Sequence, residues 1–176
     1  MVRTTNAALS FAIAANLVCV GISANAQTPK AEYVLPMKLA IEAASEAVRV
    51  CSLAGNHVTA TVVDMSGISK VALRGDRASV NTIGSSYRKA YTVATMGPIW
   101  HFDLTSQFTE KLSRYPPLAV QTLLATPDIT AQRGGAAIQV HDEIVAAIGV
   151  GGSPGGDKDE VCARAGVRKI RDELPH

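Results

Sequence analysis

Reactive side chains in this sequence concentrate where glycines run into acids. Gly151, Gly152, Ser153, Pro154, Gly155 and Gly156 lead directly to Asp157, Asp159 and Glu160. Backbone amides bared by such a turn can hold an anion, and a carboxylate beside them can act as acid or base. Gly155, Gly156 and Asp157 are therefore the candidate anion-turn residues, and Asp64, Lys89 and Asp157 the candidate catalytic groups. Each catalytic candidate also has a plainer role: Asp64 in a hairpin turn, Lys89 as a helix surface charge, Asp157 as a helix cap.

Phosphate chemistry fits poorly. A P-loop needs lysine and then serine or threonine after its last glycine, whereas Asp157 follows Gly156 and Asp159 follows Lys158. A dinucleotide fingerprint would need glycine in place of Pro154, and three acids in a first helical turn repel a pyrophosphate. Ser153 is followed by Pro154, which has no backbone N–H for an oxyanion hole, so it is not read as a nucleophile elbow. The sequence shows no catalytic triad, CxxC or paired Cys and His spacing.

A second concentration is aromatic. His101 lies between Trp100 and Phe102, and with Phe108 and Tyr115 these rings make four of the seven aromatics beyond residue 26. Such crowding in the irregular segment 99–124 marks a satellite core, a pocket wall or a subunit interface.

The elements that must position these groups follow from hydrophobic periodicity. Residues 144–150 read as an apolar strand, and Asp157 with Glu160 three residues later has capping-box spacing for a final helix over about 158–174. A first helix starts near Pro36, carries the stripe Met37, Ala40, Ile41, Ala44, Ala47, Val48 and Cys51, and stops at Gly55. Strands over 58–63 and 68–73 are joined by an Asp64–Gly67 turn. A second helix over 79–96 ends at Gly97 and Pro98, and Gly84, Ser85 and Ser86 inside it require close packing to compensate for weak propensity. Short helices over 105–113 and 118–124 precede a second hairpin, 136–140 and 144–150, turned by His141, Asp142 and Glu143. This order predicts a single α+β domain with an antiparallel sheet, spanning residues 36–174.

Residues 1–26 read as a secretory signal peptide: Arg3, an apolar run of about 16 residues, too short to span a membrane, and Ala24-Asn25-Ala26 as the cleavage site. Residues 27–35 are expected to form a loose leader in a periplasmic or secreted protein. Arg3 is the only charged residue before Gln27, so cleavage lowers the formal charge from +2 to +1. So small a charge gives no reason to expect nucleic acid as a partner, and no stretch of the mature chain is long and apolar enough to span a membrane. Cys51 and Cys162 remain after cleavage in a compartment that permits disulfides, yet both fall on helical apolar faces, where buried free thiols are expected ahead of a bridge.

Four stretches carry a likeness to a known family: TATVVDMSGISKVALRGD from residue 59, KAYTVATMG from 89, GGAAIQV from 134 and AAIGVGGSPGGDKDEVCARAG from 146. With the first helix they span about residues 36–171, and the sequence resembles the haem-degrading HbpS-like family, which also includes GlcG and the C-terminal domain of PduO. The resemblance implies a profilin-like α+β fold with an antiparallel sheet flanked by helices, a homo-oligomer and, for some members, haem or a related tetrapyrrole. The chain departs from the family pattern at the His141–Glu143 turn, at Ile99 and across 99–115.

Haem requires an apolar slot, an iron ligand and donors for its propionates. His101 is the first choice of ligand, with Trp100 and Phe102 as its slot, Tyr115 as second ligand and Arg114 for a propionate. Met96, His57, His141 and Arg133 are lesser candidates. Two other readings stand beside haem. One is a small-acid enzyme or accessory protein of a catabolic operon that uses the glycine turn as an anion site. The other is a structural oligomer without ligand.

Overall fold

The computed structural model describes residues 33–175, so the expected signal peptide, with Cys19, lies outside the described residues. The chain runs α1 (Met37–Leu53), β1 (Thr59–Asp64), β2 (Ser69–Arg74), α2 (Asn81–Trp100), α3 (Thr105–Leu112), α4 (Pro117–Leu124), β3 (Gly135–Val140), β4 (Glu143–Gly151) and α5 (Gly156–Ile170), closed by a 3-10 turn at Arg171–Glu173. Four antiparallel strands in the order β2-β1-β4-β3 form one sheet with helices on both faces, the α+β architecture expected. Among the described residues no helix is long and apolar enough to cross a membrane.

The small stripe of α1 explains its place. Ala40, Ala43, Ala44 and Ala47 are fully buried with Val62, Ile148 and Val150 of the sheet and Ala163 and Ile170 of α5. Leu35, expected in a loose leader, is 1% exposed and belongs to this core.

On the opposite face α2 lies against β1 and β4. Thr61 faces Gly149 across the β1–β4 ladder, and a methyl group on Gly149 would collide with the Ser86 carbonyl and the Ala90 amide. The hydroxyls of Thr59 and Thr82, and of Thr61 and Ser86, pair at 2.7 Å in this dry seam. This close approach compensates for the weak stretch Gly84-Ser85-Ser86, and it acts through buried Ser86, whereas Gly84 faces open space.

Four local expectations are corrected. Helix α2 continues through Gly97 and Pro98 to Trp100, because a proline in the last turn forfeits only one ladder bond. It ends at His101, whose φ of 53° is the left-handed stop usually filled by glycine or asparagine. The second hairpin turns on His141 and Asp142 alone, both at positive φ, with Glu143 already paired to Val140. Asp157 does not cap α5: Gly155 is the N-cap, at φ 107° and without a side-chain cap bond.

The fourth correction concerns the thiols. The last turn of α1 and the second turn of α5 lie side by side on the same sheet face, and Cys51 and Cys162 form a disulfide with a Cα–Cα distance of 5.7 Å. Sequence separation of 111 residues hid a distance well inside bridging range.

Candidate functional site

The glycine turn and the start of α2 enclose a polar cleft of about 780 Å³. Its floor is an ion pair that the sequence reading missed. Lys89, expected as a surface charge, is 3% exposed, and its Nζ donates to Asp159 Oδ2 at 2.7 Å and to the Val150 carbonyl at 2.9 Å. Asp159 also accepts the Ser153 N–H at 2.9 Å, which ties the glycine turn to the helix it precedes. Two charges taken out of water need partners, and each of these has two.

The remaining acids of α5 are turned away from the cleft's interior. Asp157 accepts a 2.5 Å hydrogen bond from Arg133, a contact that holds the guanidinium protonated above its ordinary range. Glu160 reaches to another helix: it accepts the Ser106 N–H at 3.0 Å and the Ser106 hydroxyl at 2.7 Å, capping α3 instead of its own helix. Thr105 accepts the N–H groups of Gly134 and Gly135 at 2.8 and 2.9 Å, so α3, β3 and α5 are locked together behind the cleft.

Of the sequence candidates, Lys89, Gly155 and Gly156 line this cleft, joined by His57 and Arg133. Asp64 stands at the first hairpin, where its Oδ1 accepts the N–H groups of Ser66 and Ile68 at 2.9 and 3.0 Å, a turn-forming role. Arg77, Asn81, Ser85 and Gln132 of the lining were not expected as site residues, because they come from segments that carry no functional motif.

His101 opens instead onto a second hollow of about 560 Å³ beyond the end of α2, with Met65, Ala94, Pro98, Ile99 and Ile144 as apolar walls and Asp103, Asp142 and Glu143 among its polar lining. Its neighbours in sequence are not its neighbours in this hollow. Phe102 is 3% exposed and stacked on Phe108 at 4.9 Å between ring centroids, and Trp100 packs on Phe108 and Tyr115, each at 5.6 Å. Trp100 and Tyr115 line a third, apolar hollow of about 180 Å³ with Leu112, Val120 and Leu123. Arg114 is exposed and lies within 3.8 Å of Glu110. Met96 packs on the core beneath α2, and His141 sits exposed in its hairpin turn.

With this geometry in view, the comparisons with known proteins are specific. The family model described as "Haem degrading protein HbpS-like" matches residues 35–168. A crystal structure of HbpS is 35% identical, with 77% of this chain and 89% of that one covered at a TM-score of 0.68. A double mutant of HbpS from Streptomyces reticuli is 32% identical over 93% of this chain and 97% of that one, again at 0.68. A PduOC:heme complex shares the fold at 17% identity and 0.68, covering 78% and 96% of the two chains. No curated protein matches the sequence.

Proposed function

The chain belongs to the haem-degrading HbpS-like family, and from that premise we propose that it is an exported protein that binds haem or a similar flat tetrapyrrole and holds it for breakdown or transfer. The observation that carries the reading is His101: an exposed imidazole in the lining of a hollow that has apolar walls and an acidic side, and whose 560 Å³ falls within the range of small-molecule sites, about 300–1,000 Å³. Haem bound there would supply redox chemistry at its iron. His101 would offer the iron a nitrogen ligand, and Met65, Pro98 and Ile99 would give the ring apolar cover. Tyr115 is the weaker ligand, since the hollow it lines is only about 180 Å³.

The test is a hemin titration of the mature chain followed at the Soret band. His101→Gly keeps the left-handed turn that ends α2 while removing the imidazole. It is expected to abolish the Soret shift or weaken binding at least about tenfold, the loss of one good ligand contact. An absent shift in the unaltered chain overturns the proposal, and a shift changed by Tyr115→Phe but not by His101→Gly moves the ligand to Tyr115.

Export and assembly complete the reading. A disulfide suits an oxidising compartment, and the signal-like residues 1–26 supply the route. Leu118 on α4 is 74% exposed and Tyr115 beside it 52%, an apolar face suited to a second copy. Protein recovered from the exported fraction is expected to begin at Gln27 and to sediment at a multiple of one chain's mass. Recovery only from the cytoplasm, or a monomer at every concentration, would refute these parts.

A further inference from the structure

The cleft over the glycine turn is chemically unlike the hollow at His101. Its lining contains Arg77, Arg133, Lys89 and His57 against a single acid, Asp159, and that acid is already neutralised by Lys89. Arg133 shares its charge with Asp157. Arg77 has no ion-pair partner among the described residues and is held at a positive φ of 63°, a conformation that costs an arginine free energy. Around these side chains stand the amides of Asn56, Asn81 and Gln132 and the hydroxyls of Ser79 and Ser85.

Among the described residues no aromatic or large aliphatic side chain lines the cleft, so a flat apolar macrocycle finds no stacking surface on them. An anion finds Arg77 together with the bared amides where α5 begins at Gly156, with no side chain capping them. The repulsion expected from three acids in that first turn is reduced in the fold: Asp157 and Asp159 are paired with Arg133 and Lys89, and Glu160, which keeps its charge, is turned to Ser106 on α3 and does not line the cleft.

We infer that this cleft is a second ligand site, taking a hydroxylated carboxylate of sugar-acid size: the carboxylate on Arg77 and the α5 amides, the hydroxyls on Asn81, Ser85 and Gln132. The anion reading of the glycine turn thereby gains side chains for selectivity, and it stands independently of haem at His101. A two-carbon acid would leave most of the 780 Å³ to water and most of the amide and hydroxyl lining unused.

The probes are gluconate, glucose, acetate and inorganic phosphate, titrated calorimetrically into the mature full chain. Gluconate is expected to bind and to raise the melting temperature, with glucose and acetate at least about tenfold weaker, because each lacks half of the recognised groups. Arg77→Gln is expected to weaken gluconate by a similar factor while leaving the unliganded melting temperature and the hemin Soret titration unchanged. Absence of gluconate binding, equal binding of phosphate, or gluconate affinity indifferent to both Arg77→Gln and Ser85→Ala would each overturn the assignment. Because hemin is read on the same samples, failure of this site and failure of the His101 site are separately visible.

Discussion

Lys89→Met is expected to cost about 3–5 kcal/mol of stability, the penalty for leaving a buried charge without its partner. Asp159 would keep the Ser153 N–H but lose the ammonium 2.7 Å away, and the Val150 carbonyl would lose a donor at 2.9 Å. Exposure of 4% and 3% for the two side chains leaves water little access to compensate. In a domain of this size the loss corresponds to a fall in melting temperature of roughly 10–20 °C. Combining Lys89→Met with Asp159→Leu is expected to recover much of it, since a pair of apolar side chains no longer carries the desolvation cost. Urea unfolding of the three proteins decides the matter: a single variant as stable as the parent would mean that the pair is not buried in solution.

Removing the disulfide has an effect of similar size by a different route. The bridge spans 111 residues, and the chain entropy restored to the unfolded state by opening so long a loop is worth about 4–5 kcal/mol, within the roughly 2–5 kcal/mol measured for native bridges of small exported domains. Cys51→Ser with Cys162→Ser is expected to lower the denaturation midpoint accordingly. The stabilising term lies mainly in the unfolded chain, so the folded core should change little. Equal stability with and without reducing agent, together with two titratable thiols in the native protein, would rule the bridge out.

The two perturbations meet at one place. Cys51 Sγ lies 3.7 Å from the Ser153 hydroxyl, and the N–H of Ser153 is bound to Asp159, so bridge and ion pair hold the same glycine turn from opposite sides. Groups that share a partner are not independent, and the combined variants are expected to depart from additivity. The turn's shape, and with it the cleft, therefore rests on contacts between α1, α2 and α5 and not on its own glycines alone.

Element order and type were readable from local pattern. Helix α1, the Asp64 and Gly67 hairpin, the apolar β4 and the short helices α3 and α4 all appear where periodicity and turn chemistry place them, because each depends on neighbours a few residues away; within the α1 stripe Ala40, Ala44, Ala47 and Cys51 are buried, whereas Met37 and Ile41 are exposed. Lys89 falls in helical phase with Thr82, Ser86 and Val93, all buried, but Thr82 and Ser86 are polar, so no apolar stripe in the sequence marked that face as inward. Its charge argued for the surface, and nothing local revealed that Asp159 waits 70 residues further on. The Cys51–Cys162 bridge, the diversion of Asp157 to Arg133 and Glu160 to Ser106, and the separation of His101 from its flanking aromatics were likewise decided by tertiary packing. The physical reason is common to all of them. A side chain's partition between water and interior is set along the chain, but its partner is set by which helix face meets which strand, and here that depends on Gly149 letting α2 come down onto the sheet.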